Sequence, residues 1–326
     1  MKTSTSKRLR WNVAIWLAAG LFMTSTACMA SGPIMPDPKA EARHQPQVEE
    51  TANGIPLVNI TAPSSGGVSR NEYETFNVPD KGAILNNSYT LSKTELAGYV
   101  QGNNNMAERP AKIIVNEVTG AGSTSMDGFL EVAGNRADVV IANPNGITVN
   151  GGGFINTGKA FLTTGKPVYD GEDHLQRFDI TGGDILIEGK GLGGKETGSL
   201  AILSRAVRIN AGIWAKDLHI TTGANSIDAK TLEASAIEGK GGRPAFALDT
   251  AAIGGMYAGR ITLVGTEKGL GVNNSGTWSA EDNLTLDWNG DLKNSGTIYS
   301  KEIQPSAQAA WKTIKPSPRG KTSPFR

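Results

Sequence analysis

From residue 54 onward, short apolar runs alternate with polar positions and are cut by Gly, Asn or Asp every few residues. Ile55, Leu57, Val58 and Ile60 form a first β-prone run, the turn-rich Pro63-Ser-Ser-Gly-Gly67 follows, and Phe76 with Val78 precedes Asp80-Lys-Gly82. Five more pieces come at close spacing: Lys112 to Val118, Gly128 to Val132, Asp138 to Ile141, Gly146 to Val149 and Ala160 to Thr163. Alternation with period two predicts strands with one buried face, and Gly, Asn and Asp tolerate the positive φ of tight turns. Beyond the first thirty residues no stretch keeps a helical period with caps. Thr90 to Val100, with Leu96 and Val100 on one side, is predicted as one or two helical turns.

A repeat organises these strands. Asn274-Ser-Gly-Thr277 recurs as Asn294-Ser-Gly-Thr297, an offset of 20 residues, and the flanks match at that offset: Val272 with Leu292, Trp278 with Ile298, Ser279 with Tyr299. Between the copies lies the alternating Asn283-Leu-Thr-Leu286, and Asp217-Leu-His-Ile220 after Ile213-Trp-Ala215 is a weaker echo. Two or three short strands per period describe one coil of a β-solenoid, whose coils stack in parallel about 4.8 Å apart. Equivalent residues then align, apolar ones inward, and turn asparagines can form ladders between coils. A β-sandwich, the alternative all-β architecture, predicts no fixed period.

Composition narrows the chemistry. The 41 glycines among 326 residues lack a Gly-X-Y period, so they serve turns, and 6% aromatics suits thin layers of Val, Ile, Leu and Ala. A net charge of +1 gives no global field for nucleic acid. Glu131, Arg136, Asp138 and Asp184 are scattered, and His44, His174 and His219 show no metal spacing. No Ser/His/Asp arrangement stands out, and Gly189 to Gly194 precedes no helix. Neither catalysis, a metal nor a cofactor is expected.

The N-terminus reads as a signal peptide over residues 1–30: Lys2, Lys7, Arg8 and Arg10, then the apolar Trp11 to Met23, then small residues through Ala27, Cys28 and Ala30. The apolar run is too short for a stable membrane anchor. Cys28 is the only cysteine, so cleavage after Ala30 leaves no disulfide to block threading through a pore; lipidation of Cys28 is the other outcome. Residues 31–50, with Pro33, Pro36, Pro38 and Pro46, are expected to be a solvated linker. The charged Gly165 to Thr181 is expected to leave the coil as a hairpin or loop. Residues 303–326, basic and proline-containing, are expected to be a disordered tail.

Three ordered segments identify a family. Pro110-Ala-Lys-Ile-Ile-Val-Asn-Glu-Val118, Gly128-Phe-Leu-Glu-Val-Ala-Gly134 and the run from Ala142-Asn-Pro-Asn-Gly146 to Thr157 resemble the secretion domain of two-partner secretion exoproteins. That family includes filamentous haemagglutinin and the contact-dependent growth inhibition exoproteins. Asn53-Gly-Ile-Pro-Leu-Val-Asn-Ile60, Asn86-Asn-Ser88 and Ser204-Arg-Ala-Val-Arg-Ile-Asn-Ala-Gly-Ile-Trp-Ala215 match as well. The resemblance implies an all-β fold, a right-handed parallel β-helix with an N-terminal β cap and small extra-helical β elements. It places the secretion domain at residues 51–265 and haemagglutinin-type repeats at 266–302. It also implies Sec export, a POTRA-containing outer-membrane β-barrel transporter (TpsB-type) as partner, and a secreted or cell-surface product that reaches host or neighbouring-cell surfaces.

The family's two Asn-rich secretion motifs map onto Asn143-Pro144-Asn145-Gly146, unchanged, and onto the segment holding Asn103 and Asn105, where Asn104 replaces the usual Pro and Met106 the usual Leu. Loss of that proline removes a fixed φ and is expected to loosen the second turn. Asn116 and Glu117 complete the candidate set. Pro144 should hold Asn143 extended, while Asn145 tolerates the left-handed region and Gly146 permits positive φ. A structural corner and a direct transporter contact both fit these residues. Strand addition to the transporter's periplasmic domains is expected from Asn53 to Ile60 and Lys112 to Val118. Family members usually continue through many more repeats, some into a toxin, so a short or truncated exoprotein is expected. The other reading is a stand-alone adhesin that binds glycan or host protein through an exposed aromatic stripe, for which Trp278, Trp288 and Trp311 are candidates.

Overall fold

The computed structural model describes residues 32–107, 109–305 and 311–312. The expected signal peptide with Cys28, and most of the basic tail, lie outside the described residues. The rest is strands and turns, with a single 3-10 turn at Ala42–His44 among the described residues.

The chain winds through three strand positions per coil. Ile147–Val149, Gly152–Ile155 and Thr157–Thr163 trace one coil, and Asp184–Ile187, Leu192–Gly194 and Ser199–Ser204 the next, each strand pairing in parallel with its counterpart. Later coils repeat the path. Gly212–Thr222 and Gly255–Gly265 run across two positions without a break, and pair from Gly212↔Gly255 to Thr222↔Gly265. The fold is a parallel β-helix.

Register makes the core. Ile114, Val139, Ala160, Leu200, Leu218, Ile261 and Leu284 are successive rungs of one inward ladder, all essentially buried. Each large aliphatic rung withdraws apolar area worth about 1.5–3 kcal/mol. The 20-residue repeat is the pairing itself: Val272↔Leu292, Asn274↔Asn294, Thr277↔Thr297 and Trp278↔Ile298 are register partners. Asn274 donates to the Asn294 carboxamide oxygen at 2.8 Å, the expected asparagine ladder. The glycine of the motif has a steric reason, because a Cβ on Gly296 would run into the Gly276 carbonyl.

Three expectations are corrected. Residues 34–50 are not a linker: Ile34–Pro36 pairs antiparallel with Val68–Phe76, and Gln47–Glu50 with Pro56–Asn59, which caps the first coil. Prolines at strand edges satisfied the linker pattern equally well, and buried Ile34 shows the difference. Thr90 to Val100 is a hairpin, Ser92–Thr94 against Gly98–Val100, because Gly98 turns at φ 71° and the buried Glu131 carboxylate accepts the Glu95 and Leu96 amides. In the expected tail, Glu302–Pro305 pairs with Asn283–Trp288, and Trp311–Lys312 with Leu292–Asn294, so the coil path continues there.

The charged insert does leave the coil as a hairpin, Lys166–Tyr169 against Leu175–Ile180. It joins Asn225–Asp228 and Ala234–Ala236 in a small antiparallel sheet. That sheet does not project freely. Phe178, Ile180 and Ile227 are buried with Val115, Val140 and Leu203 on the outside of the helix.

Candidate functional site

The Asn143 segment is a corner between Ala137–Ala142 and Ile147–Val149. The Gly146 amide donates to the Asn143 carbonyl at 3.1 Å, closing a β-turn with Pro144 at its second position. The Asn143 side-chain oxygen accepts the Asn145 amide at 2.9 Å, and its NH2 donates to the Gly122 carbonyl and the Thr124 hydroxyl, both at 3.0 Å. Asn145 donates to the Gly120 carbonyl at 2.8 Å. Asn143 is fully buried and its side chain is satisfied inside the fold, while Pro144 and Asn145 are exposed. Gly146 has φ 108°, as expected, but Asn145 is not left-handed.

The Asn103 segment repeats this arrangement without the proline. The Met106 amide donates to the Asn103 carbonyl at 3.1 Å, and the Asn105 amide to the Asn103 side-chain oxygen at 2.9 Å. Asn103 donates to the Ile60 and Asn86 carbonyls at 2.9 and 3.0 Å, and Asn105 to the same Ile60 carbonyl at 3.1 Å. In both turns the first Asn closes an Asx turn while its NH2 clamps an earlier segment. The two turns lie at different corners, since residues 88–112 connect Ala83–Asn87 to Ile113–Val118.

Asn116 and Glu117 share the strand Ile113–Val118 but face opposite ways. Asn116 points inward, accepts the Tyr73 hydroxyl at 3.0 Å and donates to the Val140 carbonyl at 3.1 Å. Glu117 points outward, is a register partner of both Glu72 and Ala142, and is covered by the insert hairpin. Burial pushes its carboxyl up to about 7; Arg70, 3.5 Å away, opposes that shift but is shared with Glu72 at 2.8 Å.

Two further asparagines, the buried Asn87 and the exposed Asn156, carry corners without having been singled out as sites. Asn87 accepts the Ala111 amide at 2.7 Å and donates to the Ala111 and Asn135 carbonyls. Asn156, with φ 54°, donates to the Val132 carbonyl at 2.8 Å. Their signal is the recurrence of Asn at turns, which points to side-chain ladders between coils, whereas these two bond to backbone carbonyls of neighbouring segments. Among the described residues, no group of three or more His, Cys, Asp or Glu is placed to hold a metal.

These features define a class: a capped parallel β-helix whose corners are locked by asparagines. The chain belongs to the TPS secretion domain family, whose model matches residues 33–298. It is 45% identical over 276 residues to the Toxin CdiA of Yersinia pestis, covering 84% of this chain and 8% of that protein. It is 44% identical to the 16S rRNA endonuclease CdiA of Enterobacter cloacae, covering 80% of this chain and again 8% of the relative. The chain thus spans about a tenth of the length of the curated relatives it matches. The crystal structure of the filamentous haemagglutinin secretion domain superimposes with a TM-score of 0.71 at 31% identity, covering 85% of this chain and 99% of that one. The chain is the secretion-targeting domain of a two-partner secretion protein, and such proteins are exported.

Proposed function

We propose that this domain is the address by which a TpsB-type outer-membrane barrel with periplasmic POTRA domains selects the chain. The Sec machinery delivers it to the periplasm, and the barrel passes it to the cell surface or medium. The toxin and nuclease activities named for relatives belong to proteins of which this chain spans 8%, and they are not carried over.

The observation behind the recognition step is that both candidate segments are fully paired once folded. Pro56–Asn59 lies between Gln47–Glu50 and Ala83–Asn87, and Ile113–Val118 between Val68–Phe76 and Ala137–Ala142. Their main-chain donors and acceptors are free for strand addition only before folding, so the transporter reads the chain unfolded. Folding outside, one coil templating the next, then favours outward movement. In this reading Asn103, Asn105, Asn116, Asn143, Pro144, Asn145, Gly146 and Glu117 act mainly by fixing the first coils, because Asn143 exposes no polar atom once folded.

Photo-crosslinking residues at positions 57 and 115, in cells exporting the chain, should capture the transporter's periplasmic domains. Adducts confined to the repeats at 272–299 would sink the proposal. Replacement of Asn143 should lower secretion and refolding of purified protein together; lost secretion with unchanged refolding would favour direct contact.

One observation favours the adhesin reading. Trp278 and Trp288 are buried and bond internally, to the Thr250 hydroxyl and the Leu270 carbonyl. The outer face has its own aromatics instead: exposed Phe129 and Tyr299, and Trp214 stacked on Tyr257 at 6.1 Å. Trp214→Ala should weaken attachment of the full chain to host cells at least tenfold if that face binds; unchanged attachment would remove this reading.

A further inference from the structure

Outside the asparagine corners, a group of ionisable side chains, mostly buried apart from the exposed Arg43, lies where three parts of the fold meet. Arg43 and His44 come from the N-terminal cap, Arg70, Glu72 and Glu117 from the first coils, and Tyr169 and Asp173 from the insert hairpin. Arg70 pairs with Glu72 at 2.8 Å, and His44 Nδ1 meets the same carboxylate at 3.1 Å. From the hairpin, the Tyr169 ring covers the Arg70 guanidinium at 4.3 Å. The Asp173 carboxylate reaches Arg43 at 2.6 Å, His44 at 3.6 Å and Arg70 at 3.8 Å.

Two features set Asp173 apart. Its backbone is left-handed at φ 57°, a conformation Asp tolerates in turns, and this fixes it at the tip of the insert hairpin. Its shortest contact also spans 130 residues, to Arg43. Without the hairpin, the cap and first-coil charges lack both the third carboxylate and the ring that shuts out water. Once the hairpin docks, the same pairs act in a drier medium and are worth more. The cluster has little slack: Arg70 Nε, Glu117 Oε2, His44 Nε2 and the Tyr169 hydroxyl have no hydrogen-bond partner. Removal of one member therefore strands charge rather than merely subtracting a contact.

We propose that Asp173 is the closing residue of a latch that fastens the N-terminal cap to the first coil. The cap, though first in sequence, is locked only when residues 166–174 have arrived and docked. Latch closure is a property of the folding chain itself; its timing during export rests on the function proposed above. A chain still being threaded would thus keep its N-terminal strands open until about 130 further residues had emerged, consistent with the Arg43–Asp173 separation.

The test is native-state hydrogen exchange and limited proteolysis on the full chain, with Asp173→Asn. Asn tolerates the left-handed backbone, so the substitution removes charge with little change of shape. Opening of residues 34–50 should rise at least tenfold together with opening of 166–180, while the coils from 184 to 299 keep wild-type protection. Loosening of the hairpin alone would make Asp173 a local turn residue and overturn the latch. Uniform loosening of all coils would overturn it as well. Should that variant fold poorly, Arg43→Gln at the exposed end of the contact serves: it should open the cap about fivefold, and combined with Asp173→Asn it should add little. Independent, multiplicative effects would overturn the coupling. None of these measurements needs the transporter, so failure of the latch and failure of transporter recognition are separable.

Discussion

The Asn143 and Asn103 turns differ in sequence at two of four positions, yet make the same hydrogen bonds. In each, one Asn closes the turn and clamps an upstream carbonyl, and the Asn two residues later reaches the same upstream segment. The fixed φ of proline is therefore not what builds the corner. The carboxamides are, because only Asn offers an acceptor for the turn and two donors for the neighbouring coil. The real divergence is at the fourth residue: Gly146 turns left-handed to start the next strand, whereas Met106 drops its side chain into the core.

The strongest challenge to this equivalence is removal of the first Asn from each turn. Asn143→Ala strands the Gly122 carbonyl and the buried Thr124 hydroxyl, Asn103→Ala strands the buried Ile60 and Asn86 carbonyls, and each opens a turn, at about 1–3 kcal/mol per stranded buried group. Each should cost about 3 kcal/mol, read as a shift of the urea midpoint at constant slope. A loss under 1 kcal/mol at Asn103 with the full loss at Asn143 would break the equivalence.

Protonation separates the corners next, since Glu117 sits beside Ala142 at the start of the Asn143 turn. Its folded pKa is raised to about 7 from an ordinary value of 4.5. A raised carboxyl favours the folded state below the unfolded pKa, and that benefit is lost as pH rises through about 7. Arg70, Glu72, Lys166 and Tyr169 surround it, so the net effect should be about 1–3 kcal/mol between pH 5 and pH 8. Glu117→Gln should flatten that part of the stability profile. A profile as steep in the variant as in the wild type would assign the dependence elsewhere.

Gly146→Ala probes the fourth position. The left-handed backbone costs an L-residue about 1–2 kcal/mol, and the new Cβ would lie 3.0 Å from the Asp184 carbonyl. Stability should fall by about 1–2 kcal/mol, measured by thermal unfolding. An unchanged melting temperature would mean that the corner relaxes without glycine.

The solenoid was legible because its period is written in side chains: the NSGT copies at 274 and 294 are register partners, and Trp278 lines up with Ile298 in the core. Local pattern failed where a long-range partner decided the outcome. The cap strand Ile34–Pro36 becomes a strand through Val68–Phe76, and the hairpin at 92–100 is held at its tip by Glu131. Of the candidate site, the turn at Asn143 was legible from Asn, Pro and Gly. The clamp it makes was not, because nothing near position 143 marks Gly122 as the acceptor. The ion cluster was hidden for the same reason, its members spreading from Arg43 to Asp173.

The smallest effect tests the proline directly. Asn104 occupies the position of Pro144, exposed and second in a turn that closes with the same bonds. Proline there would pre-set φ and restrict the unfolded chain, provided the Asn104 amide carries no bond that the folded state needs. Asn104→Pro should stabilise the domain by about 0.4–1 kcal/mol, and Pro144→Asn should lose a similar amount. Because such a gain acts through the unfolded state, it should speed refolding only if the turn forms early, and otherwise slow unfolding. If Asn104→Pro destabilises instead, the two corners share hydrogen bonds but not backbone geometry, and proline at residue 144 marks a real difference between them.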